Sequence, residues 1–146
     1  MTPEQLWTEY KTLNPAIGDK IDAWAFGVFA DQLADLVLRG EKTATASAYD
    51  LYKLENEPLP QAGSFDVILD SQDRAVCIVE ITKVSVLPFN QVSADHAFKE
   101  GEGDKSLTYW QQVHQELFTA WLAEVGLEFS QESGVVLEEF HKVYPL

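Results

Sequence analysis

The chain has 146 residues, 46% hydrophobic and 23% charged, with four Trp, five Tyr and eight Phe. That length supports a single domain with one substantial core, and the aromatic content excludes a disordered chain. Ten Lys and Arg stand against 24 Asp and Glu, a formal charge of -14, which excludes a broad electrostatic footprint on duplex DNA and favours a small substrate or a short single strand.

At the N-terminus, MTPEQLWTEYKTL is polar and acidic, unlike a signal peptide, and no apolar run along the chain is long enough to cross a bilayer. Thr2, Pro3 and Gln5 predict a capping box and helix start, followed by an apolar stripe of Leu6, Trp7, Tyr10 and Leu13 that ends before Asn14-Pro15. AIGDKIDAWAFG reads as a connection. A second helix carries Phe29, Leu33, Leu36 and Val37 on one face and stops at Gly40. AYDLYKLE predicts a short helix before a Pro/Gly turn. Ser64 to Leu69 predicts a strand, DSQDR a turn, and Ala75 to Leu87 one bent strand or two shorter ones. Within that run Cys77, the lone cysteine, reads as a core residue, and its solitude excludes an internal disulfide and fits a reducing cytoplasm. Ser93 caps a short helix that GEGD terminates. Ser106 caps a long one with Leu107, Trp110, Val113, Leu117, Trp121, Leu122 and Val125 on one side, and Gly126 stops it. Val135 to Tyr144 closes the chain as a strand. The expected class is α+β, one domain over residues 1–146 with strands spread among helices.

Residues 40–47 read GEKTATAS, a lysine among small and hydroxylated residues in an acidic chain. Side chains alternate along a strand, so Lys42 and Thr45 share a site only if Lys42 sits on the turn and Thr45 inside the strand. A lysine there can activate a threonine hydroxyl as a nucleophile, and it reads equally as a solvated cation at a helix C-terminus. The second constellation is HAFKEGEGDKS, where Glu100, Glu102 and Asp104 alternate with glycines and His96 lies one helical turn before Glu100. Carboxylates converging there suit acid–base work or a hard cation, and the same letters also suit an acidic turn in which Asp104 and Ser106 cap the next helix. His96, His114 and His141 lack zinc-ligand spacing, with His114 read as structural or exposed. No phosphate-binding, dinucleotide or nucleophile-elbow motif is present, so no cofactor is expected. Tyr49 and Tyr52, close to the lysine turn, are candidates for stacking on a base.

GEKTATAS together with HAFKEGEGD, EGEGDKSLTYW and the closing VVLEEFHKVY resembles the ASCH domain family, of the PUA-like superfamily, in its bacterial single-domain branch. The resemblance runs from about Trp24 to Tyr144 and leaves residues 1–23 as an N-terminal helical extension. It implies a mixed PUA-like β-barrel of about five to six strands surrounded by helices, with a cleft lined by the G-x-K-T segment. The family is associated with RNA binding and modified nucleosides. One member type is an amidohydrolase acting on N4-acetylcytidine with a lysine, a threonine and a glutamate, which fall here on Lys42, Thr45 and Glu100. Thr43, Ser47, Tyr49, Tyr52 and His96 would then line the substrate. Where that type has an arginine two residues after the threonine, this chain has Ser47.

Three functions follow as expectations. The first is amide hydrolysis on a modified nucleoside, with Thr45 as nucleophile, Lys42 as activator and Glu100 as acid–base. The second is a ribonuclease acting on single-stranded RNA, using a metal on Glu102 and Asp104. The third is a non-catalytic RNA- or nucleotide-binding module.

Overall fold

The computed structural model describes residues 1–18 and 21–146. Its first helix, α1 (Pro3–Leu13), begins with the predicted capping box, in which Thr2 accepts from the Gln5 amide and the Gln5 side chain accepts from the Thr2 amide. Such a cap contributes about 1 kcal/mol. The helix buries Leu6, Trp7 and Tyr10 against Val67, Leu69 and Ile78, so the N-terminal extension belongs to the same core as the sheet.

AIGDKIDAWAFG is more than a connection. Asp22–Ala25 forms a strand, β1, pairing in parallel with β3 (Phe65–Leu69). It lacks a β-branched run, and its partner lies far along the chain, so local propensity does not announce it. Residues 19–20 of that stretch lie outside the described residues. Helix α2 (Ala30–Leu38) buries Leu33, Ala34 and Val37, whereas Phe29 is an N-cap residue in the left-handed region and is 70% exposed. The predicted apolar face is thus one residue too long at its start.

After β2 (Ala44–Ala48) and the short α3 (Tyr49–Glu55) come β3 and β4 (Ala75–Pro88), then a 3-10 turn at Phe89–Gln91. Helices α4 (Ala94–Glu100) and α5 (Leu107–Glu124) follow, and β5 (Gly134–Tyr144) ends the fold. The five strands make one curled mixed sheet in the order β1-β3-β4-β5-β2, antiparallel except for β1 with β3. Strand β4 is continuous and bent, with register shifts against β5 between Ile78 and Val79 and between Ile81 and Lys83. Its first half pairs with β3, while its second half pairs with the part of β5 that carries β2. Bulges of this kind tighten the local twist, and here they curl the sheet into a half-barrel. Cys77 is fully buried among Ile68, Val79 and Phe140, and burial pushes its thiol up to about 12, in keeping with a core residue.

The buried stripe of α5 is Trp110, His114, Phe118 and Leu122, spaced by four residues. It is rotated from the predicted face, since Leu117 and Trp121 turn towards a cavity and Val125 is exposed. Among the described residues no helix is long and apolar enough to cross a membrane.

Candidate active site

Gly40 ends α2 with φ +79, and the chain turns back through Glu41 and Lys42, whose amides both donate to Leu36 O. Lys42 therefore belongs to the turn, and Thr45 lies within β2, as side-chain alternation requires. The turn is docked onto the end of α4: the Thr43 amide donates to Lys99 O at 2.7 Å, and the Phe140 amide of β5 donates to Thr43 O at 3.0 Å. Gly101, with φ +71, makes this docking possible, because a Cβ there would collide with the Glu41 carbonyl. Two segments nearly sixty residues apart in sequence are thus in backbone contact, with Glu100 delivered beside Lys42.

Lys42 is 1% exposed. Its ammonium has three N–H donors, and three acceptors meet them: Glu102 Oε2 at 2.8 Å, Glu100 Oε1 at 3.3 Å and Glu100 O at 3.4 Å. The Phe26 ring centroid lies 5.3 Å from Nζ. Glu100 is equally buried and accepts at Oε2 from His96 Nε2 at 2.8 Å and from Trp110 Nε1. Burial alone would raise the Glu100 pKa, but the Lys42 charge and the His96 hydrogen bond outweigh it and hold the carboxyl below the usual range. Glu100 is consequently ionised at rest.

His114 completes this side. Its Nδ1 lies 2.9 Å from Trp110 O, and since a carbonyl can only accept, Nδ1 carries the proton. In the neutral ring the lone pair is then on Nε2, which faces Glu100 Oε1 at 3.6 Å. His114 was not expected at the site, although its place four residues after Trp110, on the stripe that continues to Phe118, was the available signal.

These groups open onto a cavity of about 330 Å³. Lys42, Thr45, Ser47, Tyr52, Glu100, Glu102 and His114 contribute to its wall, with Trp24, Phe26 and Trp121 as flat apolar surfaces. The Thr45 hydroxyl has no hydrogen-bond partner among the described residues. Ser47 Oγ and Tyr52 OH are 2.9 Å apart, and burial raises the phenol pKa. Asp66 of β3 and Glu138 of β5 also line the cavity, both buried and neither anticipated from the sequence. Burial raises both pKa values, that of Glu138 to about 7, with the charge on Asp66 adding to it. No local signal in the sequence marks them, since each is a carboxylate within a strand whose burial on both faces only the fold reveals.

The other candidates stand elsewhere. Thr43 Oγ1 donates to Lys99 O at 3.4 Å, and His96 lies behind Glu100, orienting it without reaching the cavity wall. Tyr49 is also outside the wall, packed on Gly134 and 5.5 Å from the Lys53 ammonium. Glu102 and Asp104 do not converge. Glu102 is paired with Lys42, while Asp104 is exposed and accepts from the Ser106 amide at 2.9 Å. Among the described residues no group of three or more His, Cys, Asp or Glu is placed to hold a metal ion.

Comparison with known proteins gives this arrangement its family. An ASCH domain crystal structure from Lactobacillus crispatus JV V101 shares 36% identity, covering 99% of this chain and 97% of its own, with a TM-score of 0.88. Protein EF3133 from Enterococcus faecalis V583 also shares 36% identity, over 96% of this chain and 86% of its own, with a TM-score of 0.89. A mutant form of ZmASCH from Zymomonas mobilis is 11% identical over 86% of this chain and 71% of its own, and its TM-score of 0.52 speaks to the fold alone. No curated protein matches the chain. The family model described as the ASCH domain matches residues 22–144, and the chain belongs to the ASCH domain family.

Proposed function

We propose that the protein hydrolyses the amide of an N4-acylated cytidine or a closely related modified nucleoside. The observation that carries this reading is the convergence of Lys42, Thr45 and Glu100, from a turn, a strand and a helix, on one cavity of nucleoside-scale size.

In this mechanism Thr45 Oγ1 attacks the acyl carbon, and its proton passes to the Glu100 carboxylate, which is ionised. The Lys42 charge and the His96 hydrogen bond that keep it so also make it a weak base. Lys42 acts through its charge, stabilising the oxyanion of the tetrahedral intermediate, since its N–H donors are already engaged by carboxylates. When the intermediate collapses, the C–N bond breaks and the amine leaves with the proton held by Glu100. Water then attacks the acyl-Thr45 ester, giving a proton to Glu100, and the carboxylic acid departs as Thr45 Oγ1 is reprotonated. Trp24, Phe26 and Trp121 provide stacking surface for the base. Ser47, its hydroxyl paired with that of Tyr52, stands where the amidohydrolase type has an arginine.

Incubating the purified protein with N4-acetylcytidine, followed by chromatography, is expected to yield cytidine and acetate in equal amounts. Thr45→Ala should lower the rate roughly a thousand-fold or more while leaving the melting temperature unchanged, because the hydroxyl it removes has no partner. Absence of turnover by the wild-type protein, or full activity in Thr45→Ala, overturns the assignment.

A further inference from the structure

The cavity wall is predominantly acidic. Among the described residues that line it, Lys42 is the only lysine or arginine, and it faces four carboxyl groups, Asp66, Glu100, Glu102 and Glu138. Glu100 and Glu102 are neutralised in part by Lys42 itself. Among the described residues neither Asp66 nor Glu138 has a cation in ion-pair contact. Asp66 Oδ2 accepts one bond, from Trp24 Nε1 at 3.0 Å. Glu138 is 7% exposed and makes no hydrogen bond or ion pair among the described residues, yet it lines the cavity. Among the described residues no fully buried side-chain oxygen lacks a partner, so the unpartnered Glu138 oxygens keep contact with the cavity, where a ligand donor can complete them.

Position sharpens this. Glu138 pairs directly with Thr45 across the antiparallel β2–β5 ladder, so both side chains rise from the same face, with Cβ atoms about 5 Å apart. Ser47, two residues on, shares that face. Among the described residues, the charged or titratable groups acting on Glu138 from neighbouring elements are Asp66 of β3 and Tyr52 of α3, and neither supplies positive charge.

We propose that Glu138 and Asp66 form a specificity-determining pair that accepts the N–H donors of an uncharged or cationic nitrogenous ring and excludes phosphate-bearing ligands from the cavity. The pair selects free bases and nucleosides over nucleotides and RNA. An entering phosphate would meet the Asp66 and Glu138 carboxyl groups and a lysine already saturated by two other carboxylates. An amino N–H carried by the ring, such as the exocyclic N4 amine of cytosine, gives Glu138 the partner it lacks and favours the ionised carboxylate. Binding near neutral pH therefore releases a proton from a group that burial and Asp66 keep partly protonated.

The inference rests on reading this cavity as the substrate site, but its test is binding without turnover. Titration calorimetry at pH 7 and low ionic strength would compare cytidine with cytidine 5′-monophosphate, in two buffers of different ionisation enthalpy. Cytidine is expected to bind at least ten-fold more tightly than the monophosphate, with buffer-dependent heat that reports proton release. In Glu138→Gln, whose fold is checked by thermal melting, cytidine affinity is expected to fall at least five-fold and the proton release to disappear. Equal or tighter binding of the monophosphate, no saturable cytidine binding, or an unchanged Glu138→Gln variant overturns the proposal. A protein that binds cytidine as expected while leaving N4-acetylcytidine intact overturns the amidohydrolase reading alone.

Discussion

Lys42 shows how one residue ties stability to chemistry. It is a buried cation shared by two carboxylates, and Glu100 draws its ionised state largely from that charge. Breaking a buried pair from one side leaves the other charge uncompensated, which costs about 3–5 kcal/mol. Lys42→Met is therefore expected to lose stability of that order at pH 7, read by urea denaturation. The sign of its pH dependence has the same origin. Without Lys42, burial is opposed only by His96 and His114, so the Glu100 pKa rises and stability should recover as pH falls and the carboxyl takes up a proton. A Lys42→Met/Glu100→Gln double variant should be more stable than Lys42→Met alone, because the stranded charge is gone. If the single variant is as stable as the wild type at pH 7, the pair does not anchor the site.

At the level of elements, the decisive contact joins the end of α4 to the turn before β2, and Gly101 sits at its centre. A left-handed φ costs a non-glycine residue roughly 1–2 kcal/mol, and Gly101→Ala adds a collision with the Glu41 carbonyl. Gly126 offers the control. Its φ is +78, yet a Cβ there meets nothing within 4 Å. Gly126→Ala should cost only the backbone strain, whereas Gly101→Ala should cost measurably more in urea denaturation and, under the proposed amide hydrolysis, should also slow turnover, since Glu100 moves away from Lys42. Equal losses would mean that the close approach is not needed. The same contact marks the limit of what the sequence disclosed. Caps at Thr2, Ser93 and Ser106, the stop glycines and the β-branched runs are local signals, and the helices and β3 to β5 follow from them. Lys42, Thr45 and Glu100 were legible because their motifs carry a family resemblance. Strand β1, Glu138 and Asp66 were not, because parallel pairing and burial on both faces of a strand are tertiary outcomes that no local pattern encodes. Tyr49 misled for the same reason: proximity in sequence to Lys42 did not place its ring in the cavity wall.

Across the whole molecule, buried carboxyl groups pull stability in opposite directions with pH. Glu100 has a depressed pKa, so its contribution is present above the unfolded value of 4.5 and is lost as pH falls towards its folded value of about 2. Glu138 is the reverse case. Burial, reinforced by Asp66, raises it to about 7, so its contribution is complete below 4.5 and is lost as pH rises through 7. Asp66 is raised as well, and its sign is the same. The Glu138 shift corresponds to about 3 kcal/mol, or roughly 6–12 °C of melting temperature for a domain of this size. Surface repulsion in a chain of charge -14 also grows with pH, and the two effects need separating. Salt separates them, because a Debye length of about 3 Å at 1 M screens exposed carboxylates but not one closed inside a cavity. In 1 M NaCl, therefore, the wild-type melting temperature should still fall between pH 5 and pH 8, and Glu138→Gln should flatten the curve while raising its alkaline end. A slope that salt removes, or one that persists in Glu138→Gln, would place the titration on the surface or on another group. A slope that only Glu138→Gln removes would identify a carboxyl kept in the wall at a cost to the folded state, as a residue retained for the ligand it receives is expected to be.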